Sequence, residues 1–183
     1  MLDQKVPTAV SFEGTVVTPD TVTSPLTGLR AAALRVTLLA RRMAPGQSAM
    51  TRDAVKVDLG GGGGPDVFTR IGDVWYGASF VLADAEGRQV VVATAGLGLR
   101  AATVDRSATP IGTAPPPELA PLLAAAPEGL VCYRESLVHC GDRMRLRATV
   151  FPTAPGRWET RADVGPVVLQ SLASAPSPKT RLS

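Results

Sequence analysis

The chain of 183 residues is poor in the side chains that build metal sites and disulfide frameworks. It holds one histidine, His139, and two cysteines, Cys132 and Cys140. A small secreted domain stapled by disulfides uses more cysteines, and the spacing of these two fits no zinc module. We therefore expect no metal, no cofactor and reduced thiols, although the two cysteines could at best pair across a hairpin.

Long apolar runs are also missing. The longest, residues 31–40 and 90–99, are interrupted by polar residues or glycine and fall short of the ~20 residues that a membrane-spanning helix needs. The N-terminus has no basic start followed by an apolar stretch, so it does not read as a signal peptide. These absences predict a cytoplasmic protein without a transmembrane segment.

The net charge and the aromatic content of the chain are low as well. The net charge is only +3, and aromatic residues make up 4% of the chain, which argues against a protein that coats nucleic acid. Hydrophobic residues reach 45%, too many for a disordered chain. Only three basic residues are lysines and asparagine is absent, a codon habit that indicates a GC-rich bacterial genome.

The sequence is rich in turn-forming residues and in stretches where apolar and polar residues alternate. There are 18 glycines and 16 prolines, which favour short elements joined by turns. Apolar and polar residues alternate in stretches that predict strands, and residues 30–42 fit a helix or a strand equally well. The predicted strands cover residues 8–17, 54–59, 67–76 (around a turn at 72–73), 79–82, 88–93, 97–104, 130–138, 143–151 and 164–172. One short helix is predicted at 118–126, between prolines.

These elements predict a mainly β fold. We expect one domain over residues 1–172, built as a partly open β-barrel or sandwich of short antiparallel strands with one short helix. Strands 79–82 and 88–93 should form a hairpin, and strands 130–138 and 143–151 a second one. Residues 173–183, rich in serine and proline, should form a disordered tail.

Several short motifs occur in an order that resembles a known family. They are residues 24–28 (SPLTG), 33–36 (ALRV), Trp75, 80–88 (FVLADAEGR), 133–137 (YRESL) and 141–146 (GDRMRL). Together they resemble the GIDE, or beside-a-membrane, domain of a mitochondrial outer-membrane ubiquitin ligase and its prokaryotic relatives. The resemblance spans roughly residues 13–172 and favours a strand at 30–42.

The chain departs from that family in two ways that limit what the resemblance implies. The eukaryotic ligase has flanking transmembrane helices and a RING finger, and a RING needs about eight Cys and His ligands. Neither feature occurs here, so ligase activity is not implied. The resemblance implies a non-enzymatic bacterial interaction module that binds a protein partner in a stress or defence pathway.

A row of arginines gives the most specific site hypothesis. Arg143, Arg145 and Arg147 alternate with apolar residues, so a strand would place the three guanidinium groups on one face about 6–7 Å apart. Pairing across a two-residue turn would add Arg134 and give a face of four arginines. That face could bind an acidic partner, a phosphate or a nucleic acid backbone, or it could be solvated surface paired with neighbouring carboxylates.

Glu135 should point to the apolar side of the same hairpin. A carboxylate there needs hydrogen-bond donors, because burial without them is costly. We expect a structural latch to backbone N–H groups, with a binding role as the alternative.

Residues that could support catalysis are few. His139 and Cys140 are neighbours, and adjacent residues on an extended chain point to opposite faces, which disfavours a nucleophile–base pair. The glycines at 60–64 lack the Lys-Ser/Thr ending and the helix of a phosphate loop. We therefore expect no enzyme. The alternative to a protein-binding module is an OB-like binder of oligonucleotides or other anionic ligands, and it is weakened by the lack of stacking aromatics near the arginines.

Overall fold

The fold was analysed in a computed structural model. It describes residues 6–41, 54–57, 66–100, 109–110, 117–124, 131–161 and 163–172. Its strands are β1 (Thr8–Val16), β2 (Val22–Thr23), β3 (Arg30–Ala31), β4 (Ala33–Arg41), β5 (Ala54–Val57), β6 (Asp66–Tyr76), β7 (Ser79–Ala83), β8 (Gln89–Ala93), β9 (Leu97–Arg100), β10 (Thr109–Pro110), β11 (Val131–Val138), β12 (Arg143–Ala154), β13 (Arg157–Thr160) and β14 (Val167–Ser171). A 3-10 turn at Pro117–Leu119 leads into helix α1 (Ala120–Ala124).

Five of these strands close into a barrel. The order around it is β1-β7-β8-β13-β12, and β12 pairs back with β1. If the five barrel strands are numbered along the chain, their order around the barrel is 1-2-3-5-4. The third and fifth strands, β8 and β13, pair in parallel. This is the strand order of the OB fold. Strand β14 extends the sheet from β12, and β9 lies parallel to β14. The mainly β prediction and its barrel are confirmed.

The barrel interior is filled by the alternate residues that the sequence pattern selects. Strand β12 shows the pattern best, because Met144, Leu146, Ala148 and Val150 are buried while the residues between them are exposed or half-buried. The same period of two places apolar residues of β7, β8 and β14 in one core. Thus β12 has an inward apolar face and an outward polar one.

Strand β1 approaches two neighbours because it carries a glycine where they meet. It pairs with β12 from Thr8 to Thr15 and with β7 only at its end, through Thr15 and Val16. A Cβ at Gly14 would lie 2.8 Å from the Ala83 carbonyl oxygen and 2.9 Å from the Phe12 ring. No other residue type fits this contact without displacing the backbone, so Gly14 permits barrel closure.

A second sheet is built from the chain that connects the barrel strands. Its order is β10-β11-β4-β6-β5. One face is apolar and packs against the 3-10 turn and α1 through Leu119 and Leu122. Residues 30–42, which fitted helix or strand, form strands as far as they are described.

Several predicted elements need correction. Strands β11 and β12 do not form a hairpin: β11 pairs with β4 and β12 with β1, so they belong to different sheets. The turn expected at residues 72–73 is absent, because β6 continues through these residues. The only irregularity there is a shift in the β4–β6 pairing register between Leu38 and Leu39. The helix predicted at 118–126 begins as a 3-10 turn and becomes α-helical only at Ala120, and its last two positions lie outside the described residues.

The glycines at 60–64 and the tail predicted at 173–183 lie outside the described residues. Among the helical residues that are described, none forms a stretch long and apolar enough to cross a membrane.

Candidate functional site

The outward face of β12 carries the predicted arginine row, defined here as Arg143, Arg145 and Arg147. Arg143 and Arg147 are exposed and Arg145 is half-buried, while the intervening Met144 and Leu146 are fully buried. Since the backbone of β12 is held by β1 on one side and β14 on the other, the row has a rigid base. The predicted alternation is therefore present in the structure.

The row is only partly neutralised by carboxylates. Arg145 lies directly across from Glu13 of β1 and donates to its Oε1 from Nε at 2.7 Å and from Nη2 at 2.5 Å. Arg143 and Arg147 lie opposite Thr15 and Ser11 and form no ion pair within the described residues. Counting only partners from the described part of the chain, two guanidinium groups therefore remain on this face with unused donors.

A small pocket adjoins the row on its β14 side. Arg145 and Arg147 line it together with Val168 and Gln170, and its volume is about 150 Å³. Gln170 is opposite Arg145 in the β12–β14 register, and both residues line this pocket. The arginine and glutamine side chains of the lining carry N–H donors that could bind an anionic or carbonyl oxygen, and Val168 contributes an apolar surface.

A larger groove, the β1 groove, lies on the other side of the row. Its volume is about 770 Å³, and it is lined by Ser11, Glu13, Gly14, Thr15, Val17, residues 83–86, Arg88 and Arg143. That volume falls within the range of ligand sites, about 300–1,000 Å³. Arg143 lines this groove from the far side of β1, so its side chain extends over the β1 backbone.

The acidic residues of the β1 groove are already paired. Arg88 donates to Asp84 from Nε at 2.6 Å and contacts Glu86 at 3.1 Å. Desolvation opposes the effect, but bonds from the Arg88 side chain and from main-chain N–H groups lower the pKa of Asp84. With Glu13 bound to Arg145, the groove's carboxylates are all occupied, and Arg143 is its one charged group without an ion pair among the described residues.

Arg134 does not join the row, which corrects the predicted face of four arginines. It lies on β11 opposite Thr37 of β4, in the second sheet. Desolvation by burial lowers its pKa, and the same effect, with Arg70 and Arg134 nearby, lowers the pKa of Arg35. The prediction failed because it assumed that β11 and β12 pair across the turn at Cys140 and Gly141.

Glu135 lies in the core of the second sheet, and its partners differ from those predicted. It is 2% exposed, accepts a hydrogen bond from the Ser24 hydroxyl at Oε1, and accepts one from the Thr27 hydroxyl at Oε2 (2.8 Å). The backbone N–H groups of Leu26 and Thr27 instead donate to Ser24 Oγ, each at 3.0 Å. The latch thus works through two hydroxyls and joins motif 24–28 to motif 133–137.

The turn at His139 holds another polar contact. His139 Nδ1 lies 3.1 Å from Asp20 Oδ2, and the Cys140 backbone N–H donates to Asp20 Oδ1 at 2.8 Å. Cys140 is exposed and free, so it is not paired with Cys132. Over the described part of the chain, no three His, Cys, Asp or Glu residues are grouped as a metal site requires. Asp20 therefore fastens the 18–22 segment to this turn.

The sequence reasoning missed one aromatic beside the row. Phe151 continues the outward series of β12, and the Arg161 guanidinium lies over its ring at 4.3 Å from the centroid. The alternation that identified the arginines already placed position 151 on their face, so the signal was present. Glu13 was missed because only the fold brings β1 beside β12.

Comparisons with protein-family models, curated proteins and solved structures found no match to this chain.

Proposed function

We propose that the chain is a non-enzymatic binding module that takes up an acidic segment of a partner protein on the outward face of β12. The observation that supports this most directly is the arginine row. Two of its three guanidinium groups, those of Arg143 and Arg147, have no carboxylate partner within the described chain, yet both stand on a strand fixed by a packed core. Guanidinium groups with free donors favour carboxylates and phosphates.

The surroundings of the row support a protein segment as the ligand. The row is flanked by two concave regions of about 150 Å³ and 770 Å³, which offer room for side chains on either side of a bound chain. Their linings mix apolar atoms, amide and hydroxyl groups with charge, as protein interfaces do. The bacterial setting and a stress or defence pathway rest only on the resemblance to the GIDE family, and we retain them as part of the proposal.

Binding of a single-stranded oligonucleotide is the second candidate, because the barrel has the OB strand order and Phe151 adds one aromatic ring to the arginine face. The outward residues of β7 and β8, where OB folds usually bind nucleic acid, weigh against it. They are Ser79, Val81, Ala83, Gln89, Val91 and Ala93, and none of them is aromatic or cationic.

The test is selection of random peptides displayed on phage against the immobilised protein. We expect the selected peptides to be rich in Asp and Glu, to weaken between low salt and roughly 0.5 M NaCl, and to lose at least about tenfold in affinity with Arg147→Glu. Arg157→Glu is the matched control, because Arg157 is an exposed arginine outside the row.

Two results would contradict the proposal. Peptides without acidic enrichment that bind the Arg147→Glu protein as well as the original would show that the row is solvated surface. A labelled single-stranded oligonucleotide that binds the protein more tightly than any selected peptide, and depends on Phe151, would favour the second candidate.

A further inference from the structure

Among the residues that the structure describes, one backbone edge of strand β1 has no partner over most of its length. On one side it pairs with β12 along residues 8–15, but on the other side β7 reaches only its last residues. Beyond Ala83 the chain turns away into the β7–β8 connection. Within the described residues, no strand continues β7 alongside the first half of β1.

The hydrogen bonds at the end of β1 show which groups face that edge. Val16 exchanges bonds with the turn before β12, from its N–H to the Asp142 carbonyl and from the Gly141 N–H to its own carbonyl. Val17 donates instead to the Val81 carbonyl on the β7 side. Because successive residues of a strand alternate in direction, the N–H and C=O groups of Ala9, Ser11 and Glu13 point to the open edge.

Open space lies beside this edge. The β1 groove of about 770 Å³ includes Ser11, Glu13 and Thr15 and ends at the β7–β8 turn. Ala9, Ser11 and Glu13 are exposed. An unpaired strand edge is a ready template for an added strand.

We infer that an extended segment of the partner protein binds by adding a strand to the free edge of β1, in line with β7. Main-chain bonds to Ala9, Ser11 and Glu13 would hold it, and an acidic side chain on its outward face would pair with Arg143, which extends over β1 into the groove. The charges support this occupant, since Glu13, Asp84 and Glu86 are each bound to an arginine and Arg143 is the groove's remaining cation. This inference deepens the proposed function and rests on it.

The test uses the strongest peptide from the phage selection and a matched pair of variants. Ser11→Pro removes the backbone N–H that points to the open edge of β1, at a position where an edge strand tolerates proline. Ser11→Ala keeps this N–H. We expect Ser11→Pro to weaken the peptide by about tenfold or more, and Ser11→Ala to leave it unchanged. Thermal unfolding of both variants establishes that the barrel is intact.

Two further measurements need no change in the protein. Amide exchange by NMR should slow at Ala9, Ser11 and Glu13 when the peptide is added, but hardly change at Val10 and Phe12, which already face β12. N-methylation of alternate peptide residues should abolish binding at the positions that bond to β1 and spare those between them.

The outcomes separate this inference from the proposed function. A peptide that is lost with Arg147→Glu but binds Ser11→Pro normally, without slowing exchange at Ser11, would overturn strand addition and leave the arginine row as the site. A peptide that is lost with Ser11→Pro but indifferent to Arg143→Glu and to salt would support strand addition and contradict the acidic ligand. Failure to select any peptide would overturn both.

Discussion

Replacing Glu135 tests how much the buried latch contributes to stability. The carboxylate accepts two hydroxyl hydrogen bonds and is almost fully buried, and a hydrogen bond to a charged group contributes about 1.5–3 kcal/mol. Ser24 is also buried and cannot turn its hydroxyl to solvent. Glu135→Ala should therefore lower the free energy of unfolding by about 3–5 kcal/mol, from the lost bonds and the space left behind.

Glu135→Gln is a sharper variant because it keeps the shape of the side chain. Ser24 Oγ already accepts hydrogen bonds from two backbone N–H groups, so its hydroxyl can only donate to residue 135. The side-chain oxygen of the new glutamine must therefore face Ser24. The amide nitrogen then faces Thr27 Oγ1, which can accept. We expect a smaller loss, about 1–2 kcal/mol.

Urea unfolding followed by circular dichroism measures these losses. Glu118→Ala is the control, since Glu118 is an exposed glutamate of the same packing layer, with only a 3.4 Å contact from Tyr76. If Glu135→Ala cost no more than Glu118→Ala, the latch would contribute nothing and the energetic reasoning would be wrong.

Three further predictions concern β12, β1 and Tyr76. Leu146→Asp should lower the free energy of unfolding in urea by at least about 3 kcal/mol, because it buries an unpaired carboxylate. Arg145→Glu should lower it by only about 0.5–1 kcal/mol, because the new carboxylate lies at the surface opposite Glu13. Adding Glu13→Arg to Arg145→Glu should restore the lost stability. Gly14→Ala should cost about 1–3 kcal/mol and lower the melting temperature, since its Cβ meets the Ala83 backbone; Gly87→Ala, with open space around its Cβ, should show only the smaller effect of its positive φ. Desolvation, with Glu118 and Glu135 nearby, raises the pKa of Tyr76 to about 12 from an ordinary 10.0, so its contribution to stability should be complete below pH 10 and disappear as pH rises towards 12. Tyr76→Phe should remove that part of the pH dependence, and an unchanged profile would contradict the assignment.

The alternating pattern was enough to predict the strands and the direction of most side chains. Positions 143 to 148 in β12 are the clearest example, because each buried residue is apolar and each outward one is polar or small. A period of two reports burial directly, so the arginine row could be predicted before any pairing was known.

Pairing between distant strands could not be predicted in the same way. The turn at Cys140 and Gly141 has the length of a hairpin turn, yet β11 and β12 separate there into different sheets. Local sequence fixes where a strand ends, whereas its neighbour depends on which apolar faces meet in the whole fold. For that reason Arg134 was wrongly placed in the row, Glu13 was missed, and β13, which closes the barrel, was not recognised.

The insertion of the second sheet into two barrel connections has a consequence for how the protein folds. Glu13 and Arg145 are neighbours in the barrel but 132 positions apart in the chain, and Ser24 and Glu135 in the latch are 111 apart. Contacts of such sequence separation slow folding, because a long loop must close before any pairing stabilises it. During synthesis β1 leaves the ribosome long before β12 exists, so the edge of β1 that pairs with β12 stays uncovered until then. Throughout this interval that edge is open to pairing with other extended chains, which makes association the competing process until the barrel closes.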